Sequence, residues 1–297
     1  MNRGFAIEFQ QLILWQLARN ERRRDQRSGP GVKREAAASI GGSHAKRLAR
    51  GIDGEYRLYE CPPEELAGAL AALRRGEADG ANVTIPHKRS AASACDRLEG
   101  DALRLGAVNT LAVEADLLVG VNTDAHGLEA ALVEEGVAPL SGPAVVLGAG
   151  GAAAAAVLGL LRSGSSTVTV GARRRQQAMD LARRFDATHV SALSLDDPVL
   201  AGRLAAAAVV LNATPVGCAE LPVDPDRLRP DATIVDLRYR PRPVDLVAAA
   251  RASGRRGVDG AGMLLHQGMQ AFERWTRHAA PIEAARHALR VALDASA

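Results

Sequence analysis

The stretch AVVLGAGGAAAAAVLGLL, Ala144 to Leu161, constrains this chain more than any other: a short apolar run meets closely spaced glycines and passes into an alanine-rich helical run. It reads as strand, tight turn and helix. Gly148, Gly150 and Ala153 fall at the G-x-G-x-x-G/A spacing of a dinucleotide-binding turn, where the first glycine makes the turn and the second lets the backbone approach a pyrophosphate. The third small residue lets helix and strand pack closely, and the helix N-terminus offers free N–H groups to the phosphates. Gly148, Ala149, Gly150, Gly151 and Ala152 are therefore expected to hold a dinucleotide, although a tight connection in an α/β core has the same text. The stretch is uncharged and long enough to raise a membrane span. Its richness in glycine and alanine, and the return of apolar runs at α/β spacing, argue against one.

The text around it alternates. Strands are expected at 56–60, 81–85, 108–113 and 117–119, with helices at about 62–75 and 88–106. In the second half come strands 144–147, 167–170, 207–211 and 232–236, interleaved with helices 152–163, 175–185 and 243–253. Such alternation predicts a parallel sheet with helices on its faces. Helical text resumes at 263–279 and from Pro281 onward. The fold class is thus α/β: a Rossmann domain at 125–261, a smaller α/β domain at 40–124, and C-terminal helices at 262–297 that return to the smaller domain.

Charge separates the first residues from the rest. The chain carries a formal +3, yet residues 1–50 hold an excess of seven positive charges, so the remainder is mildly acidic and gives no reason to expect nucleic acid. Residues 1–39 form an atypical basic extension. Its apolar run FAIEFQQLILWQLA suits an amphipathic helix, either an added segment or an interfacial anchor, and it lacks a secretory cleavage site. Cys61, Cys95 and Cys218 form no C-x-x-C pair and the histidines no ligand spacing, which argues against a disulfide framework or a metal and fits a cytoplasmic protein.

Four further stretches carry candidate chemistry: GANVTIPHK (80–88), GAVNTL (106–111), GVNTDAHGL (120–128) and DGAGMLLHQ (259–267). Singly each has a plain explanation, since Asn-Thr pairs cap turns, a lysine solvates a surface and Asp124 suits a helix N-terminus. Together, in this order around the glycine turn, they resemble the shikimate dehydrogenase family, over about residues 51–297. That resemblance implies a substrate domain facing an NADP-binding Rossmann domain across a cleft, and reversible NADP-dependent reduction of 3-dehydroshikimate to shikimate on the route to chorismate. It implies Lys88 and Asp124 as the catalytic pair, also touching substrate, with Thr84, Asn109, Tyr239 and Gln267 binding the substrate's hydroxyls and carboxylate. Hydride addition to a ketone leaves an alkoxide that must gain a proton, which gives a lysine and its acidic neighbour their purpose.

On the cofactor side the resemblance adds Thr214 of NATPVG (212–217), Leu237 of VDLRY (235–239) and Gly260 near the nicotinamide. Arg173 and Arg174 follow the second Rossmann strand, where an acid would bind the ribose hydroxyl of NAD and an arginine accommodates the 2′-phosphate of NADP. NADP is expected. The expected partner is a small-molecule substrate, with no nucleic acid and no membrane; a homodimer is compatible. Quinate dehydrogenation with NAD and a non-catalytic NADP-binding shell remain open alternatives.

One family segment is missing. A first strand followed by a Ser-x-Ser-Pro segment, whose serines bind the substrate carboxylate, has no counterpart; Ser39 and Ser43 are the nearest text. Either residues 1–47 are not the native start, or the chain recognises its acid otherwise. A lost first strand would leave this half of the protein less stable.

Overall fold

The computed structural model describes residues Leu12–Ala18, Lys46–Arg47 and Gly54–Asp294. The chain divides into two compact units, one running to Asn122 and including Arg274–His278, the other spanning Thr123–Glu273 and continuing from Ala279.

The first unit holds β1 (Leu12–Ala18), β2 (Lys46–Arg47), β3 (Gly54–Glu60), α1 (Leu66–Arg74), β4 (Gly80–Val83), α2 (Lys88–Ala94), β5 (Arg97–Leu98), α3 (Asp101–Leu105), β6 (Thr110–Glu114) and β7 (Leu117–Val121). Its sheet runs β2-β3-β1-β4-β6-β7-β5. A proline at the start of a 3₁₀ turn, Pro63–Glu65, opens α1, which buries Leu66, Ala69, Leu70 and Leu73. These recur at the helical period and pack into one core with Val83, Leu111 and Leu118.

Two expectations are corrected here. The apolar run expected as an amphipathic helix supplies β1, which pairs antiparallel with β3 and with β4 in the interior of the sheet. A short run of large apolar residues is ambiguous between helix and strand, and the open slot between β3 and β4 decides it. A strand therefore occupies the place from which a first strand was expected to be missing; residues 5–11 and both Ser39 and Ser43 lie outside the described residues. The helix expected over 88–106 is broken into α2, β5 and α3. Asp96 explains the break, because its N–H donates to Leu118 O (2.9 Å) while its carboxylate accepts Leu118 N–H (2.7 Å) and Arg74 (3.0 Å), drawing the chain onto β7. Gly100, at φ +55°, then turns the chain into α3.

The second unit holds α4 (Asp124–Glu134), β8 (Gly142–Leu147), α5 (Gly151–Arg162), β9 (Ser165–Ala172), α6 (Arg175–Ala182), β10 (Val190–Ser194), α7 (Pro198–Ala206), β11 (Val209–Asn212), β12 (Thr233–Asp236), α8 (Asp245–Ala252), β13 (Arg256–Asp259), α9 (Ala261–Thr276) and α10 (Ile282–Asp294). Its six strands, in the order β10-β9-β8-β11-β12-β13, are all parallel. β8 and β11 are neighbours in space but not in sequence, so the winding reverses between them; that crevice is where open α/β sheets bind ligands. Val145, Leu147, Val210 and Ile234 of the central strands pack with Leu200, Leu204 and Leu246 of the covering helices.

The units part after Asn122 rather than after 124. Of the C-terminal helices, only Arg274–His278 groups with the first unit. There the Trp275 indole N–H donates to Leu111 O (2.8 Å) and Arg274 pairs with Glu99 and Glu114. Among the described residues no helix is long and apolar enough to cross a membrane, and no cluster of His, Cys, Asp and Glu could hold a metal.

Candidate functional site

The parallel sheet of the second unit sets where the chain can meet a ligand. β8, β9, β11, β12 and β13 end at Leu147, Ala172, Asn212, Asp236 and Asp259, and the next residues are Gly148, Arg173, Ala213-Thr214, Leu237 and Gly260. Every nominated cofactor position thus lies just beyond the carboxyl end of a strand, or in the first turn of the helix that follows.

The glycine turn has the geometry its sequence demands. Gly148 stands at φ +113°, and a Cβ there would come within 3.1 Å of Ala213 O and of Thr214 Cγ2, so two features at once exclude a side chain. At Gly150 a Cβ would meet nothing within 4 Å, which leaves open space before the helix. Gly150 is the N-cap of α5 and no side chain caps the helix; its first internal bond is Ala154 N–H to Gly150 O (3.0 Å). The N–H groups of Gly151, Ala152 and Ala153 precede that bond and suit an anion. Arg173 and Arg174 are exposed after β9. This donor set fits a dinucleotide carrying an extra phosphate.

A polar network lies under the remaining cofactor positions. Asn212 is fully buried; its Oδ1 accepts Thr214 N–H (3.0 Å) and Thr214 Oγ1–H (2.6 Å), while its Nδ2 donates to Val216 O (3.3 Å) and Asp236 Oδ1 (3.2 Å). Buried Asp236 is held by a two-pronged pairing with Arg238, Nε to Oδ1 at 3.1 Å and Nη2 to Oδ2 at 2.6 Å. Arg238 also pairs with Asp245, whose other oxygen accepts Cys218 N–H (2.8 Å). Burial pushes the Asp245 carboxyl up, but the bonds from Cys218, Arg238 and Leu246 outweigh it and hold the group below its ordinary value. Gly260 N–H donates to Arg238 O (3.0 Å), and a Cβ on Gly260 would lie 2.1 Å from Leu237 O. Glycine is required there by the neighbouring backbone.

In the first unit, Thr84, Lys88 and Asn109 converge. Thr84 follows β4, and its carbonyl accepts His87 N–H (2.9 Å), the turn that opens α2 with Lys88 as first residue. Buried His87 bonds Cys61 O through Nε2 (2.6 Å), fixing this turn to the chain after β3. Lys88 O accepts Val108 N–H (2.9 Å), and the carbonyl of buried Asn109 accepts Val83 N–H (2.8 Å) and the Asn82 side-chain amide (3.1 Å).

The second unit brings Asp124 and Gln267 together. Asp124 is buried at the first position of α4, and Thr123 Oγ1 donates to Gln267 O (3.0 Å) on α9. Gly127 lets the helices touch, since a Cβ there would sit 2.8 Å from Gln267 Cβ. Tyr239 is half-buried two residues beyond Leu237, and burial raises its phenol above the ordinary value.

Sequence reasoning passed over Asn82, Asp236 and Arg238. Asn82 lies inside the quoted GANVTIPHK and Asp236 and Arg238 inside VDLRY, so the motifs contained them while their hydrogen-bonding roles needed coordinates.

Three family models match the chain: shikimate dehydrogenase substrate binding domain over residues 38–111, shikimate / quinate 5-dehydrogenase over 131–224, and shikimate 5′-dehydrogenase C-terminal domain over 260–290. The first match begins at residue 38, ahead of the start at 51 expected from the motifs. The shikimate dehydrogenase (NADP(+)) of Acidiphilium cryptum is 42% identical over 236 residues, covering 78% of this chain and 83% of that protein. That of Moorella thermoacetica is 37% identical over 260 residues, 85% and 88% of the two chains. The crystal structure of shikimate 5-dehydrogenase from Thermus thermophilus in complex with NADP(H) and shikimate superposes with a TM-score of 0.70 at 35% identity, covering 79% of this chain and 87% of that one. With its motifs, its parallel sheet and relatives of this closeness, the chain belongs to the shikimate dehydrogenase family.

Proposed function

We propose that this protein catalyses the reversible NADP-dependent reduction of 3-dehydroshikimate to shikimate. The observation that carries the reading is the placement of Gly148, Arg173, Thr214, Leu237 and Gly260 beyond the carboxyl ends of one parallel sheet, at the ligand-binding side of such a fold. The glycine turn and the uncapped start of α5 take the pyrophosphate, Arg173 and Arg174 the 2′-phosphate, and Thr214, Leu237 and Gly260 the nicotinamide end. Bound NADPH supplies the hydride. Lys88 delivers the proton that the new alkoxide needs and takes it back in the oxidative direction, with Asp124 as its acidic counterpart. Thr84, Asn109, Tyr239 and Gln267 bind the hydroxyls and carboxylate. The unit that runs to Asn122 is the substrate domain and the unit from Thr123 the cofactor domain of a cytoplasmic protein; the three free cysteines suit a reducing compartment.

The test is NADPH formation from shikimate by the purified chain, with NAD and quinate as substitutions. Turnover with shikimate and NADP, falling on the order of 10²- to 10⁴-fold in Lys88→Ala, is expected. NADPH binding without turnover on either acid would leave a cofactor-binding shell and overturn the catalytic reading.

A further inference from the structure

Arg238 is not among the residues assigned to cofactor, substrate or proton transfer, yet it joins every segment nominated for the nicotinamide end. Its side chain is 17% exposed, and its guanidinium bridges Asp236 and Asp245. Through Asp236 it reaches Asn212, whose side chain holds Thr214 and Val216 at the start of the 212–218 loop. Through Asp245 it reaches Cys218 N–H at the end of that loop. Its own carbonyl accepts Gly260 N–H, and its N–H donates to Asp236 Oδ1 (2.9 Å), which fixes the backbone on the far side of Leu237. Gly217 is drawn so close to Asp245 that a Cβ would stand 2.6 Å from Oδ2, so the loop is seated directly on this bridge.

We infer that Arg238 is a positioning residue for the nicotinamide half of the cofactor, its side chain clamping the 212–218 loop between the end of β12 and the start of α8. This rests on the assignment of Thr214, Leu237 and Gly260 to that half. A lysine could keep one ion pair but not the two-pronged grip on Asp236 together with the bridge to Asp245. Arg173 follows β9, which β8 and β11 separate from β12, so the loss of the bridge is felt chiefly at the nicotinamide end of the dinucleotide.

Calorimetric titration of the full chain with NADPH and with 2′,5′-ADP, which lacks the nicotinamide half, separates the two ends. Arg238→Met is expected to weaken NADPH about tenfold while 2′,5′-ADP changes by less than about twofold, with Arg238→Lys between. Turnover should show a raised KM for NADP with the KM for shikimate unchanged. Parallel weakening of both ligands, or no change in either, overturns the inference. Should Arg238→Met fail to fold, Asp245→Asn carries the same test, because Asp245 is half-exposed and its loss cuts only the outer half of the bridge. A wild-type chain that binds 2′,5′-ADP but not NADPH would sink the functional reading and this inference with it, whereas intact NADPH binding unchanged by Asp245→Asn and Arg238→Met would sink the inference alone.

Discussion

The two units hold their candidate residues by different means. In the second, the route of the backbone does most of the placing: six parallel strands end on one side, and the residues just past those ends are the ones nominated for the cofactor. In the first, the sheet is mixed, and Thr84, Lys88 and Asn109 owe their places to particular bonds such as Asn82 Nδ2–H to Asn109 O and Val108 N–H to Lys88 O. A site made by backbone route tolerates many side chains but no obstruction of the backbone. One made by individual bonds should fail residue by residue.

Gly260→Ala is the severest test of the first half of that contrast. The new Cβ would meet the backbone oxygen of Leu237 at 2.1 Å, so β12 and β13 must separate at their ends. A loss of about 3 kcal/mol in stability is expected, with NADPH affinity falling on the order of 100-fold; a normal melting curve and normal titration would break the contrast. Asn82→Ala tests the other half. It removes one bond to Asn109 O and one to Thr110 Oγ1 (3.2 Å), and should raise the KM for shikimate about tenfold while leaving the KM for NADP alone. Equal rises in both constants would mean that the local bonds serve general stability.

Replacing Arg173 and Arg174 together by alanine should lower the preference for NADP over NAD about tenfold without shifting the melting temperature, because both side chains are exposed. The thiols give the smallest effect. Burial pushes Cys61 and Cys95 in the first unit up to about 11, so little thiolate exists at pH 8, and their reaction with a disulfide reagent should quicken only as pH approaches that value. Cys218 in the second unit, raised chiefly by burial and less enclosed than Cys61, should react first in the native protein; mass mapping of the labelled thiols checks the order.

What the sequence disclosed follows the same division. The Rossmann turn was legible from its glycines, and the strands at 144–147, 207–211 and 232–236 because buried parallel strands are continuous apolar runs. The edge strands β10 and β13 were not, since VSALS and RGVD carry too few apolar residues to announce a strand and gain their order from β9 and β12. In the first unit, the motifs at 80–88 and 106–111 were legible, but the break in the 88–106 helix was hidden because it depends on Asp96 meeting Leu118 twenty-two residues later. β1 was misread for a similar reason: what makes LILWQLA a strand is the pair of neighbours on either side of it. Arg238 lay in plain view within VDLRY, yet its part rests on Asp245 and Asn212, which no spacing rule connects to it.

The alanine run of α5 carries a last consequence for how the second unit moves. Ala153 to Leu160 are buried without interruption, so amides in the body of this helix should exchange with deuterium only when the whole unit opens, and their rates would report its global stability. The amides of Gly151, Ala152 and Ala153 precede the first internal bond and should exchange orders of magnitude faster in the free protein. One helix thus has a slow clock and a fast one side by side, and a bound pyrophosphate would slow the fast clock first.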